Sequence, residues 1–564
     1  MGLLRGRGAL KSAYDYIILG AGSAGCAAAS HLTRSLPPSS SVLVVEAGPS
    51  DDSVFVQTPI LAGAIVPGDF PKANRFNWSL ESEQDPGIAS RKSFFPRGCG
   101  LGGSSSINAM LYVRGHPEDY NDWRDHTGSA AWGYSSVLPI FKEMEGNQMG
   151  ENKDHGAKGP LSVVWPSQES VSLPVNQAFL EACKQYGMVY TEDFNRSEGT
   201  EGYGIYQSTV TPDGKRCSAA RAFLHPALQK HDNLSVLTET SAVKLLFDEK
   251  KRVSGVRFTE RSGSGKLSTA YFDVQVKEEV IVSQGAFHSP QLLQLSGIGA
   301  PSALEEKGIE VVCANSNVGE NLQEHLDVIL VTKLGAYSPT KSLSLSNLSF
   351  LASETRRYSK TGKGIGTSIL ETGAFLRSLP SLTRPDLQLH FLATPLVDHA
   401  RKKIFFDGVS LHACNLYPKS KGSVSLRSSN PQDSPVIRPN FLKEKEDEET
   451  ILRAFDIVAK LLISPAFDSF NHKVCFLSDS PLSLSREEKL EFIRKNSDGI
   501  YHPVGTCRMG KSSDPTSVVD PSLRLLGVEG VRVADASIMP NLIGGNTNAP
   551  SMMIGAQCAK FILQ

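Results

Sequence analysis

Gly20, Gly22 and Gly25 stand in the run Gly20-Ala21-Gly22-Ser23-Ala24-Gly25, and Glu46 follows 21 positions after the last of them. This is the pattern of a dinucleotide site. The first glycine makes a tight turn, the second lets backbone approach a pyrophosphate, and the third lets helix and strand pack closely. An acid ~20 residues further on suits a ribose hydroxyl pair. The glycines alone would be a weak sign, since such loops also occur as plain turns, and the motif does not separate FAD from NAD. A second glycine-rich stretch, from Pro96 to Trp123, sets Gly98, Gly100, Gly102 and Gly103 ahead of three serines and Asn108. Backbone N–H groups and hydroxyls can converge there on an anionic or carbonyl-rich ligand. A flexible turn would explain the glycines but not why Asn108 opens an apolar segment. The third run lies near the end of the chain. It holds YHPVGTCRMG (501–510), a strand ending in Asp535, and Asn546-Thr547-Asn548-Ala549-Pro550 ahead of a helix of small residues. A strand-end acid beside a helix N-terminus is again a geometry for a polar ligand.

These residues need a scaffold, and the surrounding sequence describes one. Asp15 to Leu19 reads as a short buried strand, Cys26 to Leu36 as a helix of small residues, and Val42 to Val45 as a second apolar strand closed by Glu46. The helix N-terminus offers free N–H groups to phosphates. Residues 49–95 are too long for an ordinary connection and are expected to cover the cofactor. An amphipathic helix is expected from Pro174 to Tyr186, and a helix start at Lys215 to Leu224. Strands follow at Leu234–Leu237, Ala242–Leu246, Val253–Phe258, Tyr271–Val276 and Glu278–Ser283, the last running into a helix within 285–299. Residues 330–480 change character: Ser- and Pro-rich loops separate strands such as Asp386–Leu392 and Ser423–Leu426, with no phosphate loop among them. This reads as a second domain with an antiparallel sheet that supplies substrate walls. Lys443 to Leu462 is charged, then apolar at helical spacing, and is expected to be a solvated surface helix. The strand ending at Asp535 implies that the C-terminus returns to the first domain.

The fold class is therefore α/β, with a Rossmann-like dinucleotide-binding domain, an FAD-binding one by the resemblance given below, and an α+β substrate domain carrying an antiparallel sheet. The expected divisions are 13–160, 206–330 and 496–564 for the first domain, and 161–205 and 331–495 for the second. The 564 residues are too many for one simple core. With 40% hydrophobic and 21% charged residues and a net charge of -1, nothing in the electrostatics calls for nucleic acid. No apolar run is long enough for a transmembrane helix. The nine cysteines show no metal-ligand spacing, and their odd number suits reduced thiols. Four N-x-S sequons (Asn77, Asn195, Asn233, Asn347) would matter only after secretion, and no signal-peptide core precedes the first strand. Arg5, Arg7 and Lys11 stand in residues 1–13 without an acid; an ordinary basic terminus explains them, and the remnant of a mitochondrial presequence is the alternative. An intracellular protein, cytoplasmic or mitochondrial, is expected. Homo-oligomer formation is left open.

Six segments together resemble the glucose–methanol–choline (GMC) oxidoreductases, flavoproteins that oxidise alcohols. They are GAGSAG with Glu46, GLGGSSSIN, GAFHSPQLLQLSGIG, VGENLQEHL (318–326), HPVGTCRMG, and DASIMP with GNTNAP. The resemblance runs from Tyr14 to Phe561. Within the family, PDLQLHFLATPLVDHAR and YPKSKGSVSLRSSNPQDSPVIRPNFL are similar to the choline dehydrogenase-like and aliphatic-alcohol dehydrogenase branch. The resemblance implies FAD, with its ADP half on Gly20, Gly22, Gly25 and Glu46, its flavin near Gly103, Ser104 and Asn108, and its adenine near Val243. Remaining contacts fall near Asp535 and Asn546. It extends the cofactor set to Ser23, Ala24, Ala47, Arg97, Gly102, Ala109, Met110, Tyr501, Ala536 and Thr547. Relatives with covalent flavin carry a histidine immediately before the motif asparagine. Ile107 stands there, so dissociable, non-covalent FAD is expected.

The resemblance also implies the chemistry. Oxidising a primary alcohol to an aldehyde removes the hydroxyl proton while hydride leaves the carbon for flavin N5. His502 matches the family's active-site histidine, and imidazole has the pKa range for that proton. An isolated histidine before Pro503 would be read as a core residue; inside HPVGTCRMG it is read as the base. Asn546 matches the second catalytic position, where an amide can only hold the substrate oxygen by a hydrogen bond, with Asn548 as the alternative. Asp327 aligns with the Glu that faces the quaternary ammonium in choline-oxidising relatives, although aliphatic-alcohol relatives also read HLD here. An acid at a strand edge or cap, without a ligand, is the competing reading. Uncharged primary alcohols are the expected substrates and choline the runner-up. A quinone or other carrier is the expected electron acceptor, with O2 not excluded. Two other classes compete: a fatty-acid photodecarboxylase, for which Cys414 lies in the right region but His502 should be absent, and a non-catalytic flavin binder, against which His502 and Asn546 argue together.

Overall fold

The structure is a computed structural model that describes residues 3–4, 10–66, 71–336, 338–398, 401–402, 404–475 and 480–564. Arg5 and Arg7 of the basic N-terminal stretch lie outside the described residues.

Ile17, Ile18 and Leu19 are β-prone, wholly buried side chains, and they form the middle of an eight-stranded sheet. From one edge its strands are Leu3–Leu4, Leu234–Leu237, Val42–Val45, Ala13–Leu19, Leu267–Val282, Val253–Arg261 and Thr240–Phe247. Val531–Val533 also pairs with the Leu267–Val282 strand. The pairings around Ala13–Leu19 are parallel, with Ile18 opposite Val44 on one side and Ile281 on the other. Strands covered on both faces read as unbroken apolar runs, which is why Val42–Val45 lacks alternation. The segments expected as two strands, Tyr271–Val276 and Glu278–Ser283, are one strand of 16 residues. It pairs antiparallel with Val253–Arg261 through its first part and parallel with Ala13–Leu19 through its second, and only its last three residues, Val280, Ile281 and Val282, are buried in succession.

Two helices of small residues cover this sheet. Ser23–Ser35 and Asn548–Ile562 meet so closely that a Cβ on Gly555 would lie 2.1 Å from the Ala24 carbonyl oxygen. The C-terminus thus returns to the first domain, as expected. All nine cysteines are unpaired, and seven are buried.

The second sheet is antiparallel, in the order Lys473–Val474, Leu326–Lys333, Gly408–Asn415, Leu387–Leu392, Thr372–Leu376 and Gly202–Ile205, with Asp498–Gly499 also pairing with Leu326–Lys333. By this pairing the sheet draws strands from 326–330 and 498–499, stretches that the expected division gave to the first domain. Period-two alternation sorts its side chains. Val328, Leu330, Leu389, Phe391, Leu411 and Ala413 lie on one face and pack in one core with helices Pro174–Gln185 and Lys445–Leu462. The latter helix is not the solvated one expected. Its acids crowd the first turn, where the helix dipole favours them, and Ile451, Ala454, Phe455, Val458 and Leu462 are buried under the sheet. The opposite face carries Asp327, Gln388, His390, His412 and Cys414. That face looks toward the first domain, because Gln388 Nε2 reaches the Oδ1 of Asn546 at 3.1 Å.

Candidate active site

A cavity of about 630 Å³ opens at the carboxyl ends of the Ala13–Leu19 and Val42–Val45 strands, where ligands bind in open α/β sheets. Gly20, Gly22, Ser23, Ala24, Glu46, Ala47, Arg97, Gly103, Ser104, Val243, Asp535 and Ala536, all expected at the cofactor, line it. From the long 49–95 stretch, Asn74, Arg75, Asn77, Trp78 and Leu80 do so too. The three glycines differ in what confines them. Gly20 has φ +99°, and a Cβ there would meet the Ser283 carbonyl oxygen at 2.5 Å; a Cβ on Gly25 would lie 2.0 Å from the Gly20 carbonyl oxygen. A Cβ on Gly22 would meet nothing nearer than 3.9 Å. The protein itself leaves room for a side chain at Gly22, and that room belongs to the cavity, as a pyrophosphate at the helix N-terminus requires. No side chain caps that terminus, and no acid stands in the first helical turn. The residues present therefore fit the ADP half of FAD.

Glu46, expected at a ribose, lines the cavity and also holds the loops around it. Its Oε2 accepts the Ala21 N–H at 2.9 Å, and its Oε1 accepts those of Gly48 at 2.9 Å and Gly100 at 3.1 Å. It clamps both glycine loops to the strand end, and burial holds its carboxyl above the usual range. The two loops touch back to back: a Cβ on Gly103 would lie 2.7 Å from the Gly22 Cα. Asp535 is a clamp as well, accepting from the Gly285 N–H at 2.9 Å, the Ser289 hydroxyl at 2.6 Å and the Ser537 N–H at 2.7 Å.

Gly25, Gly102, Asn108, Ala109, Met110, Tyr501, Asn546 and Thr547 do not line this cavity. Asn108 stands behind the second glycine loop, its Oδ1 accepting from Met110 N–H at 3.0 Å and from Arg216 at 2.8 Å. Arg216 is buried, and burial pushes its guanidinium down to about 9. Ile107 packs in an apolar cluster with Val56, Ile65 and Phe76. Arg97 lines the cavity and donates to the Tyr501 carbonyl at 2.8 Å, which sets His502 directly behind the cavity wall.

His502 sits in a chain of hydrogen bonds whose direction is fixed at both ends by backbone carbonyls. The Leu416 carbonyl can only accept, so His325 donates to it from Nε2, at 3.1 Å. Burial pushes His325 down to about 4, so the ring is neutral and its Nδ1 is an acceptor. That Nδ1 lies 3.0 Å from Nδ1 of His502, which must therefore carry a proton. Burial, with smaller contributions from His325, His390 and Arg97, holds His502 well below its ordinary value. A neutral ring protonated at Nδ1 leaves the lone pair on Nε2, and there Asn546 Nδ2 donates at 3.2 Å. The amide orientation follows from the other end. Tyr206 donates to the Leu389 carbonyl at 2.8 Å, so it accepts from Gln388 Nε2 at 3.2 Å; the same nitrogen donates to Asn546 Oδ1. Glu324 accepts the His502 backbone N–H at 2.7 Å, and burial pushes its carboxyl up to about 8. The structure thus brings the predicted pair together. It adds His325, Gln388, Tyr206 and Glu324, which sequence reasoning missed. His325 and Glu324 lay inside the quoted VGENLQEHL and Gln388 inside the quoted PDLQLHFLATPLVDHAR, none with a role assigned to it; nothing local marked Tyr206.

Asn548, the alternative amide, turns away: its Oδ1 accepts from the Ser23 hydroxyl at 2.8 Å. Asp327 is neither at a strand edge nor at a helix cap. It is wholly buried where its strand is paired on both sides, with Cys414 and with Asp498, its Oδ2 lying 2.6 Å from His412 Nδ1 and its Oδ1 without a partner. Cys414 lies opposite it, fully buried, its thiol raised well above the ordinary value by burial.

Residues 14–327 match the N-terminal part of the GMC oxidoreductases, and residues 418–555 match the C-terminal part. The chain belongs to the GMC oxidoreductase family. This GMC oxidoreductase is 40% identical over 553 residues to alcohol dehydrogenase [acceptor] of Pseudomonas putida, covering 98% of this chain and 96% of the relative. It is 40% identical over 560 residues to the mitochondrial choline dehydrogenase of Homo sapiens, covering 97% and 89%. Among solved structures, pyridoxine 4-oxidase from Mesorbium loti superposes with a TM-score of 0.84 at 28% identity, covering 97% of this chain and 98% of that one.

Proposed function

We propose that this GMC oxidoreductase oxidises a primary alcohol to an aldehyde, with non-covalent FAD as cofactor and His502 as the base. The observation that carries the reading is the His502–Asn546 pair: a neutral imidazole whose lone pair sits on Nε2, 3.2 Å from an amide N–H. A substrate hydroxyl entering between them would donate to Nε2 and accept from Asn546 Nδ2. His502 then takes the hydroxyl proton at Nε2, while its Nδ1–H stays on His325. Asn546 holds the oxygen as its charge develops, and Gln388 holds Asn546. FAD, when bound, supplies the acceptor for the hydride leaving the carbon. Gly22, Gly103, Ser104 and Asp535 would hold it in the cavity. Re-oxidation by a quinone or other carrier fits the relatives named as acceptor-linked and choline dehydrogenases, with O2 as the alternative acceptor.

The substrate we favour is an uncharged primary alcohol, because Asp327 already has His412 as its partner. The unpartnered Oδ1 of Asp327 favours a second reading, choline. The test of the reaction is bleaching of the flavin in the purified, oxygen-free protein by a panel of primary alcohols. Bleaching with aldehyde formation supports the proposal; a yellow flavin that no alcohol bleaches removes it. Alkane formation from a fatty acid under visible light would support the photodecarboxylase reading instead.

A further inference from the structure

Leu343, Leu345, Leu348 and Phe405 expose 58%, 89%, 54% and 71% of their surface. Single exposed apolar residues are ordinary, but a group of this size needs a partner. The four belong to one projection of the second domain. Asp407, two residues past Phe405, accepts hydrogen bonds from the hydroxyls of Ser344 and Ser346 and from the Asn347 amide, so the Phe405 loop is tied to the turn that bears Leu343 and Leu345. Exposures this high describe a protruding surface, not a groove.

The Leu348–Thr361 helix continues the projection. Leu345, Leu348 and Ala352 follow at the three- and four-residue spacing of one stripe, and all three are exposed. Every exposed charge on this helix is basic: Arg356, Arg357 and Lys360, with Lys363 just beyond. The helix's one acid, Glu354, is buried and accepts from the Ile365 N–H at 3.3 Å. Arg357 also meets Glu169 of the neighbouring helix at 3.4 Å. The Phe405 loop adds exposed Lys402. Five exposed basic residues, Arg356, Arg357, Lys360, Lys363 and Lys402, thus stand with the most exposed leucines of the described residues.

We propose that this projection docks the protein on an anionic lipid bilayer. The leucines and Phe405 enter the boundary between headgroups and acyl chains, and Arg356, Lys360 and Lys363 meet the lipid phosphates. Protruding apolar side chains beside one-signed, flexible charge are how a peripheral helix holds an interface. Among the described residues no helix is long and apolar enough to cross a membrane, so the contact is lateral. The inference does not depend on which alcohol is oxidised, and it would set the protein beside a lipid-soluble electron acceptor.

The test is flotation of the FAD-loaded protein with phosphatidylcholine vesicles, with and without phosphatidylglycerol. Two variants accompany it, Leu345→Glu/Phe405→Glu and Arg356→Gln/Lys360→Gln/Lys363→Gln, and dye-linked activity and light-scattering mass are followed in each. The wild type should float with phosphatidylglycerol vesicles and be released by salt. The apolar variant should stay unbound with unchanged activity, and the charge variant should bind about fivefold more weakly per charge removed. Failure of the wild type to float, or equal flotation of the apolar variant, overturns the proposal. So does a wild-type dimer that the apolar variant converts to monomer without any vesicle binding, which would make this face a contact between two copies of the chain.

Discussion

The Nδ1 atoms of His325 and His502 lie 3.0 Å apart, and the two rings stand at 90° to each other. Two lone pairs cannot face each other at that distance, so one nitrogen carries a proton, and the Leu416 carbonyl behind His325 decides which. His325 is thereby a positioning residue: it touches no substrate but selects the tautomer that leaves Nε2 of His502 basic. We expect His325→Leu to keep FAD and lower kcat by ~10–100-fold, the range for losing a group that holds a histidine from behind. His325→Gln, which can still accept from His502, should recover part of the loss. Equal kcat in both variants, or loss of flavin from both, would show that His325 only fills space.

For His502 itself, His502→Ala should retain FAD and fold while turnover falls by ~10²–10⁴, the range for a missing general base. The pH profile carries a sign. His502 is held below its ordinary value, so the active neutral ring persists as pH falls through 6.5 and is lost only once pH falls through the depressed value. The acid limb of kcat/KM should therefore lie below 6.5. A limb at or above that value would contradict the burial argument, and near-normal turnover of the alanine variant would contradict the assignment.

The glycine loop allows a contrast between two substitutions. A Cβ at Gly22 meets no protein atom within 3.9 Å, whereas one at Gly25 strikes the Gly20 carbonyl oxygen at 2.0 Å. Gly22→Val should fold and be colourless, its side chain standing where the pyrophosphate belongs; Gly25→Val should not accumulate as folded protein. Absorbance near the flavin maximum and circular dichroism separate the two. A fully yellow Gly22→Val protein would refute the reading of this loop.

The parts of the site that are local in sequence were legible in it. The strand, glycine loop, helix and Glu46 announce themselves within the 32 residues from Asp15 to Glu46, although what confines Gly20, the Ser283 carbonyl, is remote in sequence. His502 and Asn546 were recognisable through their motifs. Gln388 and Tyr206 were not, because their roles come from strand register: Gln388 reaches Asn546 only because the Leu387–Leu392 strand lies where it does between two others. The Lys445–Leu462 helix was misread as solvated because its charges stand in the first turn and its apolar stripe needs a sheet that sequence spacing does not reveal. The competing reading of Asp327 as a strand-edge or capping acid fails for the same reason, since the strands on both sides of it are remote in sequence.

Asp327 also carries the last prediction, which concerns substrate class. Its Oδ2 is held by His412 Nδ1 at 2.6 Å, and the whole side chain is buried. A carboxylate with such a partner is accounted for without a substrate cation, and this favours uncharged primary alcohols. Yet Oδ1 has no partner, on the sheet face that also presents Gln388 to Asn546. A quaternary ammonium placed there would gain a few kcal/mol from the buried carboxylate. The discriminating measurement is kcat/KM for choline against its neutral isostere 3,3-dimethylbutanol, in the wild type and in Asp327→Asn. With His412 as the sole partner, the two substrates should differ by less than about tenfold, and the variant should change both alike. Burial of the charge makes the opposite outcome large: a wild-type preference for choline of ~100-fold or more, abolished in Asp327→Asn, would make Asp327 the cation site and choline the substrate.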